Sequence, residues 1–374
     1  MVRYKKMLLG KILFLIVLLV AGLAFPGCVG LAGVPLGWSG VAITDGTLFY
    51  GSMKGELVAL NLNGALGWTV LLEDSGSVGG FACAPASTSV SIYGTPATAE
   101  DLIYAGGYNG KLYAVSSSTR LSKDTYLDEG NPQPIVGGPV VAMGKVYIAS
   151  SNGKLYAMDA ISLDKEWEFS TGDKIWSTPA IAGDTLFTGS FDKKLYAINA
   201  VDGSQKWEFP TQGAIVSTPL VYNDTVYVGS FDRYFYAVDA TNGQIKWKSQ
   251  QAAEKWFWAN PVAYNNTIYA PSLDGKVYVF NADSGDQIDI IDLGSPISSS
   301  PVIAADKVIV AAEEGKIYSI DIASYQLNQL TSLEEKIYAP LSTSDGVVYI
   351  HTQEGILYEV DAQTGAKRQL YQIN

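Results

Sequence analysis

The chain has 374 residues, a net charge of −12 at pH 7, 48% hydrophobic and 17% charged residues. That charge excludes a nucleic-acid binder, which needs a basic footprint to neutralise phosphates. A single histidine, His351, and two cysteines, Cys28 and Cys83, leave no Ser-His-Asp or multi-histidine metal set to assemble.

The N-terminus carries Arg3, Lys5 and Lys6, and then an apolar run from Ile12 to Phe25. A charged start and a short apolar core predict an export signal over residues 1–28, with a single uncleaved anchoring helix as the alternative. Cys28 closes Phe25-Pro26-Gly27-Cys28, which resembles a bacterial lipobox and implies lipidation at Cys28, although Phe25 and Pro26 depart from the usual residues. Membrane attachment through this end, on the extracytoplasmic side, is the expectation. If Cys28 is acylated, Cys83 has no partner in the chain and no disulfide framework forms.

Residues 29–374 read as a single domain built from repeats. From Ser177 to Pro219 the chain passes through four short alternating runs, Pro179 to Ala182, Thr185 to Ser190, Leu195 to Asn199 and Gln205 to Phe209, and then begins again. Period-2 alternation broken by turn residues predicts a four-stranded antiparallel meander. Between the second and third runs a tight two-residue turn is expected, and its second residue falls at Gly55, Gly110, Gly153, Lys193, Arg233, Gly275, Gly315 and Gly355. The first runs start at Val41, Pro96, Pro139, Pro179, Pro219, Pro261, Pro301 and Pro340. Both rulers count eight units, most of about 40 residues, which is the period of a β-propeller blade. The fold class is therefore all-β, an eight-bladed β-propeller of four-stranded blades, with Leu31 to Gly37 available as a closing clasp. Two stretches exceed the period, Asp74 to Ser91 and Ser116 to Gln133, and both read as exposed loops.

The third runs leave through LYAMDAISLDKEW, LYAINAVDGSQKW and FYAVDATNGQIKW, ending at Trp167, Trp207 and Trp247. This resembles the tryptophan-docking repeat of the pyrroloquinoline-quinone (PQQ)-type propellers, and the resemblance implies that these tryptophans staple neighbouring blades. Trp68 holds the same place in the first unit, whereas Asp289, Gln329 and Gln369 stand there in the last three. The family has two branches, quinone-dependent dehydrogenases and non-catalytic, BamB-like propeller lipoproteins. The dehydrogenase branch implies a calcium ion held by acidic and amide side chains, a catalytic aspartate and, in many members, adjacent cysteines. Here no two cysteines are adjacent, and Asp192, Asp232 and Asp274 fall in separate units where turn chemistry accounts for them.

Ahead of three first runs an acid, a lysine and an aromatic recur: Asp173-Lys174 before Trp176, Glu254-Lys255 before Trp256 and Trp258, and Glu335-Lys336 before Tyr338. These connections are expected on one face of the ring. They read either as a protein-recognition surface or as interface caps with solvated charges. The resulting expectation is a monomeric, non-catalytic scaffold without a cofactor or metal, whose partners are proteins such as β-barrel assembly components. A quinoprotein dehydrogenase and a cell-surface sensor or carbohydrate-binding propeller are the alternatives.

Overall fold

The computed structural model describes residues 38–52, 54–73 and 90–372. The signal segment with Cys28, the clasp at Leu31 to Gly37, and Cys83 with most of the first insertion lie outside the described residues.

Eight four-stranded antiparallel sheets follow one another along the chain, at 42–71, 97–126, 140–170, 180–210, 220–248, 262–292, 302–332 and 342–372, here blades 1 to 8. In blade 4 the strands are Ala180–Ala182, Thr185–Gly189, Lys194–Asn199 and Gln205–Pro210, and every blade keeps this sequential order. The first strands approach one another around the axis, and that of blade 1 meets those of blades 2 and 8. The ring thus closes as an eight-bladed β-propeller in which no blade borrows a strand from another.

The core sits between the blades. The second and third strands are buried on both faces, so alternate side chains serve opposite neighbours. In blade 4, Leu186, Tyr196 and Ile198 pack towards blade 3, whereas Phe187, Leu195 and Ala197 pack towards blade 5. Eight apolar clusters result, one at each interface.

Each interface is keyed by a large residue on one blade and a small one on the next. The Trp167 indole lies on Gly203 of blade 4 and donates to the Ala200 carbonyl at 3.3 Å. Trp207 repeats this on Gly243, bonding the Ala240 carbonyl at 3.0 Å, and Trp247 on Gly285, bonding Ala282 at 2.8 Å. A Cβ on any of these glycines would stand 2.5 to 2.7 Å from the indole. At the 2–3 and 6–7 interfaces, where the tryptophan is missing, the next blade supplies the bulk through Leu163 and Tyr325. Trp68 packs against Phe49 at 6.0 Å, but blade 2 offers it Arg120 at the docking position instead of a glycine.

Several boundaries differ from the sequence reading. The two-residue hairpin lies between the first and second strands, where pairs such as Asn223-Asp224 and Asn265-Asn266 both have positive φ, as a two-residue turn of the favoured twist requires. Between the second and third strands the loop has three residues, as at Phe191-Asp192-Lys193, and only the last is left-handed. Blade 8 starts at Ser342, so Leu341, not Pro340, takes the place of the prolines. Within the supposed loop Ser116 to Gln133, Ser122–Tyr126 is the outer strand of blade 2; its polar sequence hid it, and Lys111 fixes it by pairing with Asp124 at 3.3 Å and Glu73 at 2.7 Å. In blades 7 and 8 the β-bulge moves, so Asn328 and Arg368 rather than Gln329 and Gln369 face the third strand at the tryptophan register. That shift turns Leu330 and Leu370 onto Gly365 and Gly64 of the following blade.

His351 occupies the closing seam. Blades 1 to 7 end the second strand in a small or compact residue, such as Gly51, Gly106 or Gly189, against which the next blade seats Ile92, Ile135 or Ile215. At the seam the second strand ends instead in the large ring of His351. Its ring lies 4.8 Å from Tyr50, Nδ1 is 3.0 Å from the Ser39 carbonyl, and Nε2 has no partner among the described residues. Burial lowers its pKa from 6.5 to about 4, against a smaller opposing effect from the Ser39 carbonyl.

Two outcomes are expected. Trp207→Ala should cost about 3–5 kcal/mol in urea unfolding, and Gly243→Ala roughly 2 kcal/mol through its positive φ and the indole contact. The double variant should be less damaged than their sum, since removing the indole frees the space for the Cβ. For His351 the folded pKa lies below the unfolded value, so its contribution is complete above pH 6.5 and is lost as pH falls towards 4. That loss amounts to about 3 kcal/mol at 1.36 kcal/mol per pKa unit. His351→Gln should flatten the fall in unfolding midpoint across this window relative to the unaltered protein.

Candidate functional site

One face of the ring gathers two kinds of loop from every blade. The three-residue hairpin between the second and third strands bonds back onto the connection that leads into its own blade, as in Phe191 N to Lys174 O (2.9 Å), Phe231 N to Ala214 O (2.8 Å) and Leu273 N to Trp256 O (3.0 Å). Aspartates lock these loops in blades 4 to 6. Asp192 accepts from the Gly172 amide and the Tyr196 hydroxyl, both at 2.6 Å, and Asp232 accepts from Gln212 and Tyr236 in the same way. Asp274 bonds the Glu254 amide and Tyr278. Burial first, and then the aspartate beside each, raise the phenols of Tyr196, Tyr236 and Tyr278 well above their usual range, so they remain donors. In blade 8 the acid is Glu335, which holds Tyr358 at 2.8 Å; burial, with Glu335 next, pushes that phenol up to about 12.

On this locked frame the aromatics form two arcs. In the first, Trp176 meets Phe191 at 4.6 Å and Trp258 at 6.3 Å, Phe191 meets Phe231 at 6.2 Å, and Phe231 stacks on Trp256 at 4.6 Å and on Trp258 at 5.9 Å. In the second, Trp38 contacts Tyr338 at 5.1 Å and Tyr93 at 4.8 Å, and Tyr93 contacts Tyr108 at 5.3 Å. The structure therefore joins Trp176, Trp256 and Trp258 but places Tyr338 in the other arc. Lys174, Lys255 and Lys336 are all exposed. Lys255 is out of register with the other two: Lys174 and Lys336 stand six residues before their first strands, a position that Trp256 takes in blade 6. Phe191, Phe231, Trp38, Tyr93 and Tyr108 were missed in the sequence. Phe191 and Phe231 share the first position of the hairpin loop, and Trp38 and Tyr93 stand four residues before their first strands, like Trp176, so the two rulers already contained the signal.

Inside the arcs lies an axial basin of about 390 Å³. Its wall is one position repeated around the ring, Trp38, Tyr93, Val136, Trp176, Val216, Trp258, Ser298 and Tyr338. Beneath it, polar residues tie adjacent blades together: Thr178 Oγ1 accepts from Gly138 N at 2.7 Å, Asn260 Oδ1 from Thr218 N at 2.7 Å, and Ser300 Oγ from Asn260 N at 3.0 Å. Among the described residues the lining contains no carboxylate and no cation. Burial, with Tyr108 next, raises the Tyr93 phenol and keeps it neutral. Among the described residues no group of three or more His, Cys, Asp or Glu is placed to hold a metal ion.

Comparison with known proteins adds the family. Residues 139–373 match the family model described as the beta-propeller of the beta-alanine-activating enzyme, and residues 31–171 match that of the outer membrane protein assembly factor BamB. Among curated proteins none matches. The crystal structure of BamB from Moraxella catarrhalis superposes with a TM-score of 0.70 at 16% identity, covering 85% of this chain and 92% of that one. A computationally designed protein, Ika8, superposes at 0.69 with 15% identity, covering 87% and 96%. With more than half of its length matched by the first model, the chain belongs to the beta-propeller family described for the beta-alanine-activating enzyme, as a PQQ-like, BamB-like eight-bladed propeller.

Proposed function

We propose that this protein is a non-catalytic scaffold, exported and held at the extracytoplasmic side of a membrane through Cys28, that presents its loop face to partner proteins of outer-membrane protein assembly. The observation that carries this reading is the first aromatic arc. Trp256 is 48% exposed while its ring is stacked on Phe231, so a large apolar plane is held rigid and open to solvent. Lys174, Lys193, Arg233 and Lys255 belong to the same connections and hairpin loops as the arc's aromatics, and all are exposed with no ion pair among the described residues. Asp173 and Glu254 stand beside the lysines, and Asp192, Asp232 and Asp274 are engaged in the loop locks, so the rim carries charges of both signs around the aromatic plane. Fixed aromatics with interspersed lysine and arginine are the composition of protein-binding hot spots, and a partner with an apolar anchor and a polar, mixed-charge surround fits them. The match to the BamB family model supports the choice of pathway.

A blade edge supplies a further surface. The outer strand of blade 1, Leu66–Leu71, carries no charge and leaves Leu66 and Leu71 each 49% exposed, which suits pairing with an extended client strand. The residues of the basin do not fit the quinone-dependent dehydrogenase reading, which calls for acidic metal ligands and a catalytic aspartate at the ring centre.

In pull-downs from cross-linked, detergent-solubilised membranes, β-barrel assembly components should accompany the unaltered protein. Trp256→Ala should weaken that association by about 2 kcal/mol, roughly thirtyfold in Kd. A Lys174, Lys255, Lys336 triple alanine variant should slow binding and reduce its salt dependence, and Cys28→Ala should leave the membrane fraction. Recovery of no such partner, or binding indifferent to Trp256→Ala, would overturn the reading.

A further inference from the structure

The axial basin adjoins the rim that the scaffold reading uses, sharing Trp176 and Trp258 with the first arc, whereas Trp256 does not line it. Three properties define what it accepts. Its walls are aromatic, with Trp176 and Trp258 leaning together across the small Val216 at 68° to one another, and these planes offer stacking faces to an apolar ring surface. The described residues of its lining are uncharged, so neither an anion nor a cation finds a counter-charge among them. Its floor is rich in spare donors. Thr178 Oγ1 and Ser300 Oγ each accept a backbone N–H and retain their own hydrogen, and Asn260 accepts through Oδ1 and keeps its amide hydrogens. The Ser298 hydroxyl is buried with no partner among the described residues.

A quaternary ammonium would suit the aromatic walls but has no lone pair to accept from this floor. A planar acid would leave its charge unpaired. A neutral sugar satisfies both halves, because one face of a pyranose ring is a patch of C–H groups and its edge is a set of hydroxyl oxygens that accept and donate. The volume of about 390 Å³ is at the small end of the roughly 300–1,000 Å³ typical of small-molecule sites, which suits a mono- or disaccharide and no longer chain.

We propose that the axial basin is a binding site for a neutral mono- or disaccharide, stacked on Trp176 and Trp258 and hydrogen-bonded by Ser298, Asn260, Thr178 and Ser300. The site shares Trp176 and Trp258 with the first arc but not Trp256, so Trp256→Ala separates partner binding from sugar binding.

The test is titration of the folded protein with maltose, cellobiose, lactose, N-acetylglucosamine and N,N′-diacetylchitobiose, with tetramethylammonium as the competing chemistry, read by tryptophan fluorescence and calorimetry. At least one sugar should bind saturably and shift the emission. Trp258→Ala should abolish the binding. Ser298→Ala, which removes a hydroxyl that no described residue uses and so leaves folding intact, should weaken it about three- to tenfold. Trp256→Ala should leave it unchanged. Saturable binding of tetramethylammonium without any sugar would overturn the sugar assignment. So would failure of all five sugars, or sugar binding that survives both Trp258→Ala and Ser298→Ala.

Discussion

Everything in this fold depends on the fact that a single blade cannot bury its own sheet. Its second and third strands carry apolar residues on both faces, so each blade is stable only between two others. The eight interface clusters express this as packing, and the pairing of a large residue with a small one gives it direction. The docked indoles of Trp167, Trp207 and Trp247 each require a glycine on the next blade. Where the indole is absent, either the glycine is replaced by Leu163 or Tyr325, so that the donor of the bulk changes sides, or Leu330 and Leu370 take the place of the indole on Gly365 and Gly64. Closure at the seam follows the same rule with His351, where a polar ring fills apolar space.

The same requirement explains what the sequence revealed. Eight blades were legible because both turn rulers repeat, and the left-handed residues of the hairpin loop fall at all eight expected positions, including Lys193 and Arg233 where glycine is absent. The docking tryptophans were legible because the indole and its glycine recur together. What spacing could not show was register. A bulge displaced by two residues along the strands in blades 7 and 8 shifts the pairing by one, which exchanges Gln329 for Asn328 and brings Leu330 against Gly365, with no change in residue count. The outer strand Ser122–Tyr126 was hidden for a related reason. Its stability comes from ladder bonds and the Lys111 ion pairs, which leave no apolar alternation to read.

The candidate site was partly legible for the same reasons. Trp176, Trp258 and Tyr338 were found as aromatics near first strands, but the acid-Lys-aromatic pattern mixed two positions, one lining the basin and the other lying on the rim. Trp256 differs from Trp258 by two residues, and this decides which surface it serves. Phe231, which joins the two, comes from a different loop some 25 residues earlier in the chain. Only the ring brings a hairpin of blade 5 against the connection into blade 6.

A propeller converts one sequence position into a circle, and departures from the repeat at that position shape the circle. At the basin wall the eight residues run Trp, Tyr, Val, Trp, Val, Trp, Ser and Tyr from blade 1 to blade 8. Uniform tryptophan would crowd the axis, and uniform valine would leave a featureless funnel. The small residues instead open gaps at Val136 and Ser298, on roughly opposite sides, and divide the aromatics into the two arcs. The backbone bonds that fix the floor, from Gly138 to Thr178 and from Asn260 to Ser300, also run between blades, so the force that closes the ring orients the polar groups of the basin. Fold and site are therefore held by the same contacts, and loosening one interface disturbs both.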